Sequence, residues 1–202
     1  MIAMRRPLSL RAHRVGALIR RMRRERSALA ALEFALVAPL LSALLIGSVD
    51  AAQLFLAQLR LSAAVHAGAD YALANQSSVS AANGAALAAA IAQIVGNING
   101  VGWASGTVVV NNGPTVTFSN GSAVSGGSAS SANAYYCLSG SPGAWEWGTS
   151  VSDDSEACDN AGDGAKAGKF VTITASRAFT PSILSVEFAS GPLTQSVAVQ
   201  VQ

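Results

Sequence analysis

Residues 28–49 read Ala28-Leu-Ala-Ala-Leu-Glu-Phe-Ala-Leu-Val-Ala-Pro-Leu-Leu-Ser-Ala-Leu-Leu-Ile-Gly-Ser-Val49, 22 positions with Glu33 as the only charge. As an α-helix this stretch is about 33 Å long at 1.5 Å per residue, enough to cross a hydrocarbon core of roughly 30 Å. The helical pattern continues past its end. Leu54, Leu61, Val65 and Leu73 interleave with Gln53, Gln58, Arg60, His66 and Asp70, so polar residues return on one face. The spacing predicts one long helix from about residue 30 to residue 75, its first half in lipid and its second half amphipathic and outside. Pro39 removes one i→i−4 bond, and a tolerated kink is the expected consequence.

The charges flanking this helix are divided unequally. Residues 1–26 hold nine arginines and one acid, a net of +8, while residues 27–202 hold four basic and ten acidic residues, a net of −6. A basic head retained on the cytoplasmic side sets an N-in, C-out orientation. A nucleic-acid-binding arm is the competing reading of the arginines, but the cluster stops directly before the apolar run. A cleaved secretory signal needs only a 7–15-residue apolar region and a small-residue exit; here the run is longer and no clear exit follows. The expected organisation is therefore a basic cytoplasmic leader (1–28), a transmembrane and stalk helix (29–75) and an outer domain (76–202).

The outer part is rich in Ser, Asn, Gly and Ala, and only 6% of the chain is aromatic, so its core must use small and aliphatic side chains. Leu87, Ile91, Ile94 and Val95 fall at i, i+4, i+7 and i+8, predicting a short amphipathic helix over 85–95, ended by Gly96, Gly100 and Gly102. Residues 107–110 and 115–119 flank Asn112-Gly113-Pro114 and read as a β-hairpin. Residues 119–133 are a Ser/Gly/Ala stretch expected to be a mobile linker. Residues 170–178 alternate Val171, Ile173 and Ala175 with Thr172, Thr174 and Ser176, a half-buried strand; Val197, Val199 and Val201 repeat the pattern. Four or five short strands after the helix give an α+β protein: a long N-terminal transmembrane and stalk α-helix followed by a small antiparallel β-sheet domain.

Cys137 and Cys158 are the two cysteines. Outside the cytosol an even count suggests a disulfide, here enclosing a Gly-, Ser- and Asp-rich loop; two structural thiols are the alternative. Trp145 and Trp147 within that loop either cap the small sheet or form an exposed patch. Asp159-Asn160-Ala161-Gly162-Asp163-Gly164 resembles a calcium loop but fails the required spacing at its third position, so no metal site is expected. His13 and His66 are the only histidines, and no G-x-S-x-G, H-E-x-x-H, Walker loop or Cys–His pair with metal spacing occurs. No catalytic residue and no cofactor is expected.

Glu33 is the residue that needs a reason. A carboxylate near the centre of a membrane helix costs about 2.5–3.5 kcal/mol by insertion scales, and less near the interface. Either it reaches the headgroups or Arg26, or it awaits a cation within the membrane. A free amine made by cutting the chain just upstream would supply one. Glu33-Phe34-Ala35-Leu36-Val37 followed by Pro39, behind an arginine-rich leader, resembles the start of the TadE-like family, minor pilins or pseudopilins of the bacterial tight-adherence (Tad/Flp) pilus. Residues 50–60, the Ala-rich 63–74, and the terminal stretches 169–181 and 192–202 are similar to that family as well. The resemblance implies a subunit stored in the bacterial inner membrane and processed by a prepilin peptidase. Its implied partners are that peptidase, other pilins and the assembly machinery, not nucleic acid. With Glu33 as the fifth mature residue, it implies cleavage between Ala28 and Leu29, and a recognition role for Glu33 and Phe34. The family usually has glycine at the last leader position, where this chain has Ala28. That departure keeps a second expectation open, an uncleaved single-pass scaffold of the same machinery.

Overall fold

The computed structural model describes residues 12–158, 165–181 and 191–202, with side chains from Leu29 onward. The first 11 leader residues and the calcium-like stretch 159–164 lie outside the described residues. The chain divides into two compact units, one ending at Asp50 and one running from Ala51 to Gln202. Helix α1 covers Ala12–Ala74. It starts well before residue 30, because residues 12–26 are mostly Ala, Leu, Ile, Met and Arg, which form helix readily. Pro39 is accommodated inside it.

In the second unit, α1 from Ala51 onward is followed by a 3₁₀ turn (Gln76–Ser78) and helix α2 (Gly84–Asn97). Among the described residues seven strands follow: β1 (Ser105–Val110), β2 (Thr115–Ser119), β3 (Ser122–Gly126), β4 (Tyr135–Ser141), β5 (Ala144–Val151), β6 (Phe170–Phe179) and β7 (Gly191–Gln200). An antiparallel five-stranded sheet has the order β3-β2-β1-β6-β7, and β4-β5 is a separate hairpin. The expected α+β architecture, a long apolar N-terminal helix followed by a small antiparallel sheet domain, is the observed one.

The buried face of α1 in this unit is Leu61, Ala64, Val65, Gly68, Ala69 and Ala72, an i, i+3, i+4, i+7 progression. Leu73 lies one step off that stripe and is exposed. The stripe joins Leu87, Ile91 and Val95 of α2 and Val108, Val116, Phe118, Val171 and Ile173 of the sheet in one apolar cluster. Each fully buried aliphatic side chain contributes roughly 1.5–3 kcal/mol by removing its surface from water. Gly68 sets the approach of the layers. A Cβ built there would stand 2.7 Å from Val95 Cγ2, 3.1 Å from Ile91 Cγ2 and 3.2 Å from Ile173 Cδ1. No larger residue lets α1 lie this close to α2 and β6.

Two turns depart from expectation. The β1–β2 hairpin turns on Asn111 and Asn112, with φ of 50° and 53°, closed by the Gly113 N–H donating to the Val110 carbonyl at 3.0 Å. The centre of the turn is thus Asn-Asn, one residue earlier than the Asn-Gly pair. The stretch 119–133 is ordered structure, not a linker. Asn120-Gly121 (φ 50° and 79°) makes a two-residue turn into β3, and a 3₁₀ turn spans Ala129–Asn133. Strand β3 is wholly exposed, so its sequence shows no apolar alternation to reveal it.

Asn111 ties these parts together. It is 0% exposed, and its Nδ2 donates to the carbonyls of Ala132 (3.0 Å) and Ala134 (2.6 Å). Its Oδ1 accepts from the Phe170 N–H at 3.2 Å, and its own N–H donates to the Phe170 carbonyl at 2.8 Å. One side chain therefore fixes the β1–β2 turn, the 3₁₀ turn and the start of β6.

Candidate functional site

The first unit presents an unusual surface. From Leu29 to Val49 nearly every large apolar side chain faces outward; Leu29 is 63% and Phe34 69% exposed. The helix Leu29–Ala74 is long and apolar enough to cross a membrane, and none of its most apolar window is buried within the protein. A helix that is apolar on all sides and uncovered by its own chain needs a lipid or protein environment. This is consistent with a single-pass membrane protein.

Glu33 and Phe34 both lie exposed on this helix. Leu29 and Glu33 are separated by four residues, one helical turn, and so share a face with a rise of about 6 Å between them. Ala28 is helical in its backbone, and its side chain falls outside the described residues. Ala28, Leu29, Glu33 and Phe34 therefore lie on consecutive turns of one exposed helix.

The second predicted pair does meet. Cys137 and Cys158 form a disulfide with Cα atoms 5.4 Å apart. The enclosed loop is mostly the β4–β5 hairpin, turned at Pro142-Gly143, where Gly143 has φ of 91°. The β4–β5 register shifts between Tyr136 and Leu138, a bulge in β5 where Gly148 and Thr149 together oppose Cys137. The far arm is pinned by the Cys158 N–H donating to the Ala165 carbonyl (2.8 Å) and by paired bonds between Tyr136 and Gly168.

The two tryptophans pack rather than project. Trp147 meets Tyr136 edge to face at 5.6 Å, and Trp145 Nε1 donates to Ser196 Oγ of β7 at 3.1 Å. Thr174 and Ser196 hydroxyls are 2.9 Å apart beneath that contact. These residues alternate with the core-facing Ile173 and Ala175, so the hairpin covers the sheet face opposite the helices.

The acidic residues Asp153, Asp154 and Glu156 are exposed. The Ser155 N–H donates to Asp153 Oδ1 at 2.7 Å, and this bond holds the Asp153 carboxyl below its usual range, assisted by the Ser155 side chain. Among the described residues, no group of three His, Cys, Asp or Glu side chains is placed to hold a metal ion. His66 is an exposed residue of α1.

Sequence comparison bears on the helical unit. The family profile described as TadE-like protein matches residues 29–70. No curated protein and no solved structure matches the chain. The match begins at Leu29 and contains Glu33, Phe34 and the start of the α1 stripe that packs on the sheet. Over residues 29–70 the chain is similar to TadE-like proteins.

Proposed function

We propose that the protein is a minor pilin, or pseudopilin, of a Tad/Flp-type pilus, acting in pilus assembly, adhesion or secretion. It waits in the inner membrane with its arginine-rich leader in the cytoplasm and its sheet domain in the periplasm. A prepilin peptidase cuts between Ala28 and Leu29, and the freed subunit joins other pilins through α1. The observation that carries this reading is Glu33-Phe34 on the outward-facing apolar segment of α1, with Glu33 the fifth residue of a TadE-like match that begins at Leu29.

Cleavage gives Leu29 an ammonium in a medium of low dielectric, and Glu33 supplies the acid. The pair forms within one chain across a helical turn or between adjacent subunits; in either case a paired buried ion is far cheaper than a lone one. Membrane insertion does not depend on that pair, whereas alignment of an entering helix with the previous one does.

Two measurements test the proposal. Intact mass of the protein from its native membrane is expected to match a chain starting at Leu29. A full-length mass favours instead the uncleaved inner-membrane scaffold, the reading that Ala28 in place of glycine supports. Glu33→Gln is expected to insert normally and to reduce incorporation into pili. Normal piliation at normal protein level would overturn the role assigned to Glu33.

A further inference from the structure

Residues 51–202 carry four cations against eight acids, and two of those four line one cavity of about 410 Å³. Its walls come from α1 (Gln53, Leu56, Arg60), from Trp103 ahead of β1, and from the end of β6 (Arg177, Phe179), with no acidic side chain among the described lining residues. The volume falls within the range of small-ligand sites, about 300–1,000 Å³.

The two arginines are held differently. Arg177 Nη1 donates to the Trp103 carbonyl at 2.7 Å, and its guanidinium lies 4.4 Å from the Trp103 ring centroid. The stack fixes the plane of the guanidinium and, among the described residues, leaves further N–H donors of its fork available. Arg60 is exposed, and among the described residues its guanidinium has neither an ion-pair nor a hydrogen-bond partner. A preset fork and a second cation, with no acid among the described lining residues, match an oxyanion with several acceptor oxygens, above all a phosphate.

Position selects the source of that phosphate. Gln53 follows Val49, the end of the apolar run, by four residues of α1, so the cavity wall begins about 6 Å along the helix from it. With residues 29–49 spanning a bilayer, that distance falls in the headgroup region. Trp103, Leu56 and Phe179 supply the amphipathic and apolar surface suited to that layer.

We propose that the Arg60–Arg177–Trp103 cavity binds the phosphodiester of an anionic glycerophospholipid from the outer leaflet of the membrane that α1 crosses. A zwitterionic headgroup is disfavoured, because its ammonium meets two guanidiniums and, among the described lining residues, no acid. The site rests on residues 29–49 spanning the membrane, and not on cleavage or on incorporation into a pilus.

The test uses the full chain purified in detergent and reconstituted into bilayers of mixed phosphatidylglycerol and phosphatidylethanolamine. Lipid retained on the protein is read by native mass spectrometry. Phosphatidylglycerol is expected to be enriched, Arg60→Gln to reduce its retention about tenfold, and Arg60→Lys to restore most of it. Arg60 is exposed, so neither change disturbs the core. Equal retention of both lipids, or enrichment unchanged in Arg60→Gln, overturns the proposal. In a parallel arm, sn-glycerol 3-phosphate is titrated in detergent. Saturation of an Arg60-dependent site by this soluble phosphate with no lipid enrichment in bilayers assigns the cavity to a free phosphate and overturns the lipid source. Failure of the protein to enter bilayers at all refutes the membrane span itself, a result distinct from insertion without lipid selection.

Discussion

Asn111→Ala removes three side-chain hydrogen bonds from a position with no solvent access. At about 1 kcal/mol net for each bond, and about 1–2 kcal/mol for alanine in the left-handed conformation, the loss is roughly 4–5 kcal/mol. Asn111→Gly keeps the φ of 50° at no steric cost and loses only the bonds, roughly 3 kcal/mol. For a unit of about 150 residues these values correspond to Tm decreases of roughly 10–15 °C and 6–10 °C. Asn111→Asp separates donor from acceptor. It tolerates the turn and still accepts from the Phe170 N–H, but it aims a carboxylate oxygen at the carbonyls of Ala132 and Ala134. That arrangement raises the carboxyl pKa in the native state, so the native state binds the proton more tightly than the unfolded one. Below the unfolded carboxylate value of about 3.9 the neutral acid's single O–H serves only one of the two carbonyls, a residual loss of about 1 kcal/mol; the further deficit of Asn111→Asp grows as pH rises above that value and is complete above the raised native value. Thermal unfolding of the full chain in detergent, followed by near-ultraviolet circular dichroism at pH 4 and pH 7, reads all three variants. A Tm change under about 3 °C for Asn111→Ala refutes the reasoning, as does Asn111→Gly no more stable than Asn111→Ala.

Two further outcomes follow from the packing. Gly68→Ala gains about 1 kcal/mol of helix propensity but forces a Cβ against Val95 and Ile91, a cost of about 1–3 kcal/mol, so a small net loss is expected; Gly68→Leu is expected to prevent close packing of α1 on the sheet. Denaturant midpoints check both, and a stabilised Gly68→Leu would contradict the close approach. Replacing both Cys137 and Cys158 by serine opens a loop of separation 21, worth about 3 kcal/mol in the loop-entropy model. The paired β4–β5 ladder already orders much of that loop, so about 2 kcal/mol is the expected loss, with the five-stranded sheet retained by hydrogen exchange.

What the sequence made legible follows from which positions face an apolar medium. Leu29–Val49 is legible because nearly every large side chain there is outward and apolar, a signal that no local choice obscures. Strand β6 is legible because Val171, Ile173 and Ala175 alternate with polar neighbours. Strand β3 is hidden because both its faces are exposed, leaving only the Asn120-Gly121 turn as a signal, a pair whose hairpin chemistry could have found it. Asn111 was masked by Gly113. An Asn-Gly pair normally marks the turn centre, but Gly113 is required for another reason: a Cβ there would lie 2.8 Å from the Ser128 carbonyl oxygen. The cavity between Arg60 and Arg177 joins residues more than a hundred positions apart, and no local pattern announces it.

The proposed assembly role places a demand on α1 that apolar burial cannot meet. The leucines between Leu29 and Leu45 are satisfied as well by acyl chains as by a neighbouring helix, because lipid tails are as apolar as leucine. Hydrophobic surface therefore keeps the subunit in a low-dielectric place without choosing between bilayer and fibre. A group that lipid serves badly makes that choice. Glu33 lies five residues from Ala28, about 7.5 Å along the helix axis, where its ionised form costs less than the 2.5–3.5 kcal/mol of the bilayer centre but more than at the surface. On the proposed reading, an ammonium on the adjacent subunit removes most of that cost, and the difference favours leaving the bilayer for the fibre. Glutamine at 33 is neutral, so it lowers the cost of waiting in lipid and abolishes the gain on pairing. Both changes act in the same direction, which is why Glu33→Gln separates insertion from incorporation more cleanly than any loss of apolar surface along the same helix.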